Sequence, residues 1–414
     1  VAYADDNALD EISTKICCKL ATKADTNAII AAMHIILNAM FWNQPTVGSG
    51  QYLHGLLGAL PSLAPQHQYT LLVPSYLGEV PNVPAPFTLV RLSTPFDGRS
   101  ENLAKLWFEQ ISVPQAAAKL KGDLLHVPYF AAPFSSRVPV VVSILDIIPL
   151  LLPEYQGSRA VRAYMKLVSA ASRRAKWALT LSEHSRRDIV QHLGIPAERV
   201  TATHLAALPH FAPRDHEQAH AEVAERYGIR KPFVYYVGGL DARKNVPTLI
   251  RAFARMRRAG GPDVQLVIAG KAFSDDRTMF PDLDAIIADE ALGDAVQRIT
   301  VPYNDGPLLM NAALAYAFPS RYEGFGLPPL EAMACGTPTL VSNSSSLGEV
   351  VGDAAIQLPP DDLDAWADAL RRICEDATLR EQLSVKGLAR ASEFSYDRVA
   401  QSILSIYQQI GSKP

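Results

Sequence analysis

This sequence predicts an α/β protein built on parallel sheets, and three observations lead there. Short apolar runs of strand length recur along the 414 residues. Helix-compatible stretches separate several of them, the alternation expected of parallel strands joined by crossovers. Glycine-bearing turns follow several of those runs, as at Gly48, Gly238, Gly270 and Gly324. The length suits two domains of ordinary size.

Hydrophobic residues make up 48% and charged residues 20%, the balance of a soluble globular protein. A net charge of −3 gives no reason to expect a nucleic-acid partner. Cys17, Cys18, Cys335 and Cys374 show neither metal spacing nor a disulfide framework, which fits a reducing compartment. No uninterrupted apolar run of about 18 residues occurs, so no spanning helix is expected. Residues 29–42 follow Lys19 and Lys23 and imitate a signal peptide. His34 and Asn38 interrupt that patch and no clear cleavage site follows, so a buried first strand is the better reading.

Residues 1–32 read as an N-terminal extension of mixed charge, to which no function is assigned. The first domain, 33–212, opens with a strand over 34–39. A loop then carries Gly48, Ser49 and Gly50 into a helix starting near Gln51. Such a loop offers backbone N–H groups and a positive dipole end to an anion. It departs from G-x-G-x-x-G at Leu53, and a tight turn is the plain alternative. Strands follow over 69–73, 87–92, 123–127, 138–145 and 177–181. The basic stretch 158–176 reads as an amphipathic helix, either packed on the sheet with a solvated face or touching an anionic membrane. Ser182 is a helix N-cap candidate. Residues 208–231 make the linker and one helix, 217–227.

The second domain, 213–394, opens with a strand over 233–237. Gly238, Gly239, Arg243, Lys244 and Asn245 come next, then a helix with Pro247 near its start and Asn245 as its cap. Arg243 and Lys244 stand between a strand end and a helix start, where a diphosphate would find cationic hydrogen-bond donors. Strands over 264–269, 298–301, 313–318 and 339–342 complete the pattern. Asp362 and Asp364 read as helix-start carboxylates, not metal ligands.

The chain is organised around residues 319–338. Gly324 and Gly326 supply conformations that other residues avoid, and Pro328 and Pro329 start a helix that Gly336 and Pro338 end. Glu323 falls in the loop and Glu331 in the first helical turn, with seven residues between them. Two carboxylates so placed can face a polyhydroxy ligand at the carboxyl end of a sheet. The plain alternative makes Glu331 a helix-dipole partner and Glu323 a solvated side chain.

This stretch resembles the E-x7-E motif of the family 4 retaining glycosyltransferases, which have the GT-B fold, and Gly238 to Asn245 resembles that family's phosphate segment. The resemblance covers about 33–410. It implies two Rossmann-like domains facing across a cleft, with a terminal helix, 395–414, crossing back to the first. It implies hexose transfer, with mannose the expectation from family frequency, from a nucleotide-diphosphate sugar to a glycan or lipid-linked acceptor, with no metal or other cofactor. Arg243 and Lys244 would bind the diphosphate and Glu331 the ribose. Glu323 would hold the sugar beside the N–H groups of Phe325, Gly326 and Leu327, near Gly238 and Gly324. Gly48, Ser49 and Gly50 would close the cleft. His126 stays open between a cleft residue and a hydrogen-bonded structural histidine, and Asp146 between an acceptor contact and a turn carboxylate. Leu145 stands where many relatives carry histidine, and this leaves two other readings: a nucleotide-sugar-binding partner subunit without turnover, and a nucleotide-sugar epimerase. A cytoplasmic protein with peripheral contact at the inner membrane face is expected.

Overall fold

A computed structural model describes residues 32–78, 83 and 85–411. The extension, Cys17 and Cys18 lie outside the described residues. The first sheet holds β1 His34–Asn38, β2 Gln68–Pro74, β3 Thr88–Leu92, β4 Leu124–Val127, β5 Val140–Ser143, β6 Trp177–Thr180 and β7 Val200–Ala202, in the order β3-β2-β1-β4-β5-β6-β7. The second holds β8 Phe233–Val237, β9 Gln265–Ala269, β10 Val296–Ile299, β11 Ala315–Phe318, β12 Thr339–Ser342 and β13 Ile356–Leu358, in the order β10-β9-β8-β11-β12-β13. Every strand pair is parallel. Both sheets therefore reverse their strand order beside their first strand, the arrangement that opens a crevice at the carboxyl ends.

The central strands are apolar because helices cover both faces: β4, β5, β11 and β12 are buried at every residue. The expected 298–301 strand lies two residues earlier, at Val296–Ile299. Gln297 and Arg298 interrupt its apolar signal. Strands β7 and β13 went unpredicted, since three residues carry no periodicity.

Local chemistry sets the helix ends. Asp362 accepts from the Ala365 N–H at 3.0 Å and caps the helix Leu363–Glu375. Pro247 lies in the first turn of Val246–Arg258, which buries Leu249, Ile250, Phe253 and Met256. Asn245 precedes that helix in a left-handed conformation. Its side chain, however, accepts from Thr248 Oγ1 at 2.8 Å and donates to the Pro360 carbonyl at 2.7 Å, so it is no backbone cap. The basic helix runs Arg159–Ser172 and buries Met165 and Val168, while its arginines and Lys166 face outward.

The last described helix, Tyr396–Gly411, leaves the second domain and packs on Gly48–Leu63 of the first. Gly55 permits that approach: a Cβ there would lie 2.0 Å from the Tyr396 ring. Tyr407 sits in the core beside β4. Among the described residues, no helix is long and apolar enough to cross a membrane.

Candidate active site

β8 and β11 are neighbours at the second sheet's reversal point, so the loops that leave them diverge and bound a crevice. The β8 loop ends in the tight turn Ala242–Lys244, and the β11 loop leads into the helix Leu327–Ala334. The two loops are tied by the Arg321 N–H, which donates to the Arg243 carbonyl at 2.8 Å.

Glu323 is the meeting point. Lys244 Nζ lies 2.6 Å from its Oε1, and Arg243 Nη1 lies 3.0 Å from its Oε2. Ser320 Oγ donates to Oε1 at 2.6 Å. Burial would raise this carboxyl, but the Lys244 and Arg243 charges outweigh it and hold it down at about 2. Arg243 Nη1 also donates to the Tyr322 carbonyl at 2.6 Å, and Lys244 Nζ stands 4.9 Å from the Phe318 ring centre. Two cations thus share one carboxylate in a buried pocket.

Glu331 is in the opposite state. It is 6% exposed, and its Oε1 has no hydrogen-bond partner among the described residues. Burial pushes its carboxyl up to about 8. It lines a cavity of about 540 Å³ together with Gly238, Lys271, Tyr303 and Pro328. Thr46 and Gln51 of the first domain and Phe211 of the linker close that cavity from the other side. Gly238 and Gly239 join it to the cationic turn, since a Cβ on Gly239 would come within 3.8 Å of Lys244 Cε.

The structure thus brings together Arg243, Lys244 and Glu323, and it sets Gly238 and Glu331 in the adjoining cavity. Glu331 lies past the first helical turn, one turn later than the spacing suggested. Gly326 takes the left-handed conformation at φ 112°, whereas Gly324 does not. Gly324 is needed for closeness instead: a Cβ would meet Asp146 Cβ at 2.8 Å. Leu327 is partly exposed at the start of its helix. The Phe325 ring is buried against His204 and Phe394, so only its backbone faces the loop.

Gly48, Ser49 and Gly50 form the first turn of the helix and not a loop ahead of it. Gly50 is pressed on the Gln44 carbonyl, and the flanking Thr46 and Gln51 are the residues that reach the cavity. Asp146 does reach the cationic cluster. Burial raises its carboxyl, while the Ile148 N–H at 3.1 Å and Arg243 work against that rise.

His126 is a correction. It is fully buried in β4, bonded to Tyr407 Oη at 2.5 Å and Ser143 Oγ at 2.8 Å. Burial pushes its imidazole down to about 3. It ties the terminal helix to the first sheet and does not reach the cleft.

A serine cradle escaped the sequence reading. Ser346 Oγ donates toward the Glu323 and Phe325 carbonyls at 2.9 and 2.7 Å, and Ser345 Oγ accepts the Glu323 N–H at 2.8 Å. From the first domain, Ser182 and Ser185 hydroxyls both donate to the Gly324 carbonyl, at 2.8 and 3.0 Å. Ser182 also caps its own helix by accepting from the Ser185 N–H at 3.0 Å. Glu349 accepts the Glu183 and His184 N–H groups at 2.8 and 3.2 Å and meets His204 Nε2 at 2.9 Å. Only the Ser182 cap had a local signal; the remaining partners are far apart in sequence.

Known proteins match this chain in both halves. A family model described as glycosyl transferases group 1 matches residues 221–390, and one described as glycosyltransferase family 4 matches residues 47–207. An Escherichia coli protein named O-antigen chain mannosyltransferase B is 31% identical over 300 residues, 70% of this chain and 74% of that one. The solved sucrose-phosphate synthase of Thermosynechococcus elongatus superposes with a TM-score of 0.72 at 21% identity, over 91% of this chain and 99% of its own. The Anabaena HepE protein, solved with UDP-glucose, does so with a TM-score of 0.68 at 19% identity, over 91% of this chain and 100% of its own.

Proposed function

The chain belongs to the family 4, group 1 glycosyltransferases of GT-B fold, and from that premise we propose how its residues carry a transfer from a nucleotide-sugar donor. The sugar is a hexose, with mannose favoured by the name of the E. coli relative. The acceptor offers a hydroxyl of a glycan or a lipid-linked glycan. Configuration at the anomeric carbon is retained.

One observation carries the reading: two half-buried cations meet one buried carboxylate beside a cavity that holds a second carboxyl group, unpartnered among the described residues. The unpartnered Glu331 accepts the ribose hydroxyls, whose donors supply what its buried oxygen lacks. Arg243 and Lys244 turn part of their charge from Glu323 to the diphosphate. Glu323, released in part, accepts from sugar hydroxyls. The backbone N–H groups of Phe325, Gly326 and Leu327 lie at the start of a helix, where a negative charge is favoured.

In the chemical step the acceptor oxygen bonds to the anomeric carbon as the bond from that carbon to the phosphate oxygen breaks. The acceptor proton passes to the departing phosphate on the same face, which preserves the configuration. The charge gathering on the diphosphate is met by Arg243 and Lys244, so this reading needs no metal or other cofactor for that task. Gln51, Thr46 and the first turn from Gly48 to Gly50 close the cleft, and Asp146 stands where the acceptor enters.

Work at the inner face of a membrane in the cytoplasm fits two surface features. Leu103, Trp107 and Phe134 are exposed around an apolar groove of about 560 Å³. Arg159, Arg162, Lys166, Arg173 and Arg174 are exposed on or just beyond the neighbouring helix. Sedimentation with anionic and with zwitterionic vesicles tests this, and equal absence from both pellets removes it.

The activity is tested with purified protein, a panel of nucleotide sugars and glycan acceptors, reading nucleotide release and the anomeric signals of the product by NMR. A new glycoside of the donor's configuration is expected. Donor binding without release points instead to a partner subunit, an inverted product removes retention, and an altered free nucleotide sugar points to epimerisation.

A further inference from the structure

Tyr155 belongs to the first domain, in the tight turn Pro153–Tyr155. Its hydroxyl crosses the cleft and donates to Asp241 Oδ1 in the β8 loop, 86 positions along the chain. Its ring centre lies 5.8 Å from the Arg243 guanidinium carbon. Asp241 Oδ1 also faces Arg243 Nε, yet it stands 3.5 Å away. That Nε–H is buried and has no hydrogen-bond partner among the described residues. A carboxylate next to a free, charged donor would ordinarily close such a gap. Here the other claim on its oxygen comes from a tyrosine of the opposite domain.

We infer that Tyr155 is a positioning residue for the cationic turn: by holding Asp241 off Arg243, it keeps the buried Arg243 Nε–H unpaired, to be taken by a phosphate oxygen of the donor when the donor seats and the turn adjusts around it. Asp241 has little freedom to answer otherwise, because its Oδ2 faces Gly239, where a Cβ would fall only 2.6 Å from it. The phenol oxygen also lies within hydrogen-bonding reach of the Arg243 guanidinium, so Tyr155 touches both members of the pair. Without the phenol hydroxyl, Asp241 shifts onto Nε and competes with the diphosphate for it. The first domain thereby prepares a phosphate site that lies wholly on the second, and it does so only while the two are close enough for this bond.

This inference rests on the reading of Arg243 as a diphosphate ligand, and the test separates the two. Wild type, Tyr155→Phe, Asp241→Asn, the double variant and Arg243→Ala are titrated calorimetrically with inorganic pyrophosphate, UDP and GDP. Tyr155→Phe keeps the ring and loses the hydroxyl, so the best-bound probe should weaken about tenfold, the scale of one charge-assisted hydrogen bond. Adding Asp241→Asn removes the competing carboxylate and should restore affinity to within about twofold of Asp241→Asn alone. A merely structural role for Tyr155 predicts no such rescue. Unchanged affinity in Tyr155→Phe, or a loss that Asp241→Asn leaves in place, overturns the inference. Unchanged affinity in Arg243→Ala, or no binding of any probe to wild type, overturns the diphosphate reading itself.

Discussion

Glu323 and Glu331 sit on one loop-helix unit, yet their surroundings drive them apart. Glu323 is ionised and saturated with partners; Glu331 is buried and held near neutral. Below about pH 4.5 both the folded and the unfolded chain keep the Glu331 proton. Above it the unfolded chain releases that proton, while the folded chain holds it until about pH 8. The folded state binds more protons across this window, so ligand-free stability contributed by this group falls as pH rises. Glu331→Gln should remove that slope, leaving the variant about 2–4 kcal/mol more stable than wild type near pH 8 and little different at pH 4.5. Urea melts at the two pH values check this, and a gap of the reverse sign refutes it. Donor binding should move the other way: Glu331→Ala and Lys244→Ala are each expected to lose about tenfold or more, read by calorimetry. His126→Ala should cost about 2–4 kcal/mol of stability, because Tyr407 and Ser143 lose their buried partner. Its kcat/KM should hold while the protein stays folded, which an imidazole in the cleft would not allow.

At the scale of elements, what could be read beforehand follows from how local the signal is. Gly326, Pro328 and Gly336 declare a turn, a helix start and a helix stop by their own backbone limits. Arg243 and Lys244 were legible because a charge pair after a glycine turn is a local pattern. The serine cradle was not, since nothing in the run Ser344-Ser345-Ser346 says that a glutamate loop will lie on it. Tyr155 was invisible for the same reason, its partner being supplied by another domain. Shortness hides strands β7 and β13 from the sequence, and the glycines of the Gly48–Gly50 helix start read as loop. The cradle has a measurable consequence. Ser346→Ala removes a hydroxyl from two carbonyls of the glutamate loop and should cost about 1–2 kcal/mol. Donor KM should rise more than kcat falls, since the loop carries binding groups. A Gly55→Ala change should cost about 1–3 kcal/mol by pushing Tyr396 from its seat, measured by denaturant unfolding.

Over the whole molecule, the cleft is bridged on both sides of the site. Ser182 and Ser185 hold the Gly324 carbonyl, Glu349 gathers Glu183, His184 and His204, and Tyr322 donates to Asp188. Glu349 takes the largest share of these. Burial would raise its carboxyl, but His204 and the two backbone N–H groups bring it below the ordinary value. A carboxyl held low contributes stability that is present above its unfolded pKa and is lost as pH falls through the folded one. Glu349→Gln should therefore loosen the bridge at neutral pH, seen as a larger radius of gyration in X-ray scattering without ligand. An unchanged radius would place closure on the other contacts.

The terminal helix has a practical bearing on engineering. Residues 396–411 are encoded after the second lobe but fill the wall of the first, through Tyr396 against Gly55 and Tyr407 against His126. A chimera that trades donor lobes between relatives must leave this tail with the recipient. A cut made at the linker instead strands an acceptor lobe with an open apolar seam, and that half should precipitate unless the tail peptide is supplied in trans.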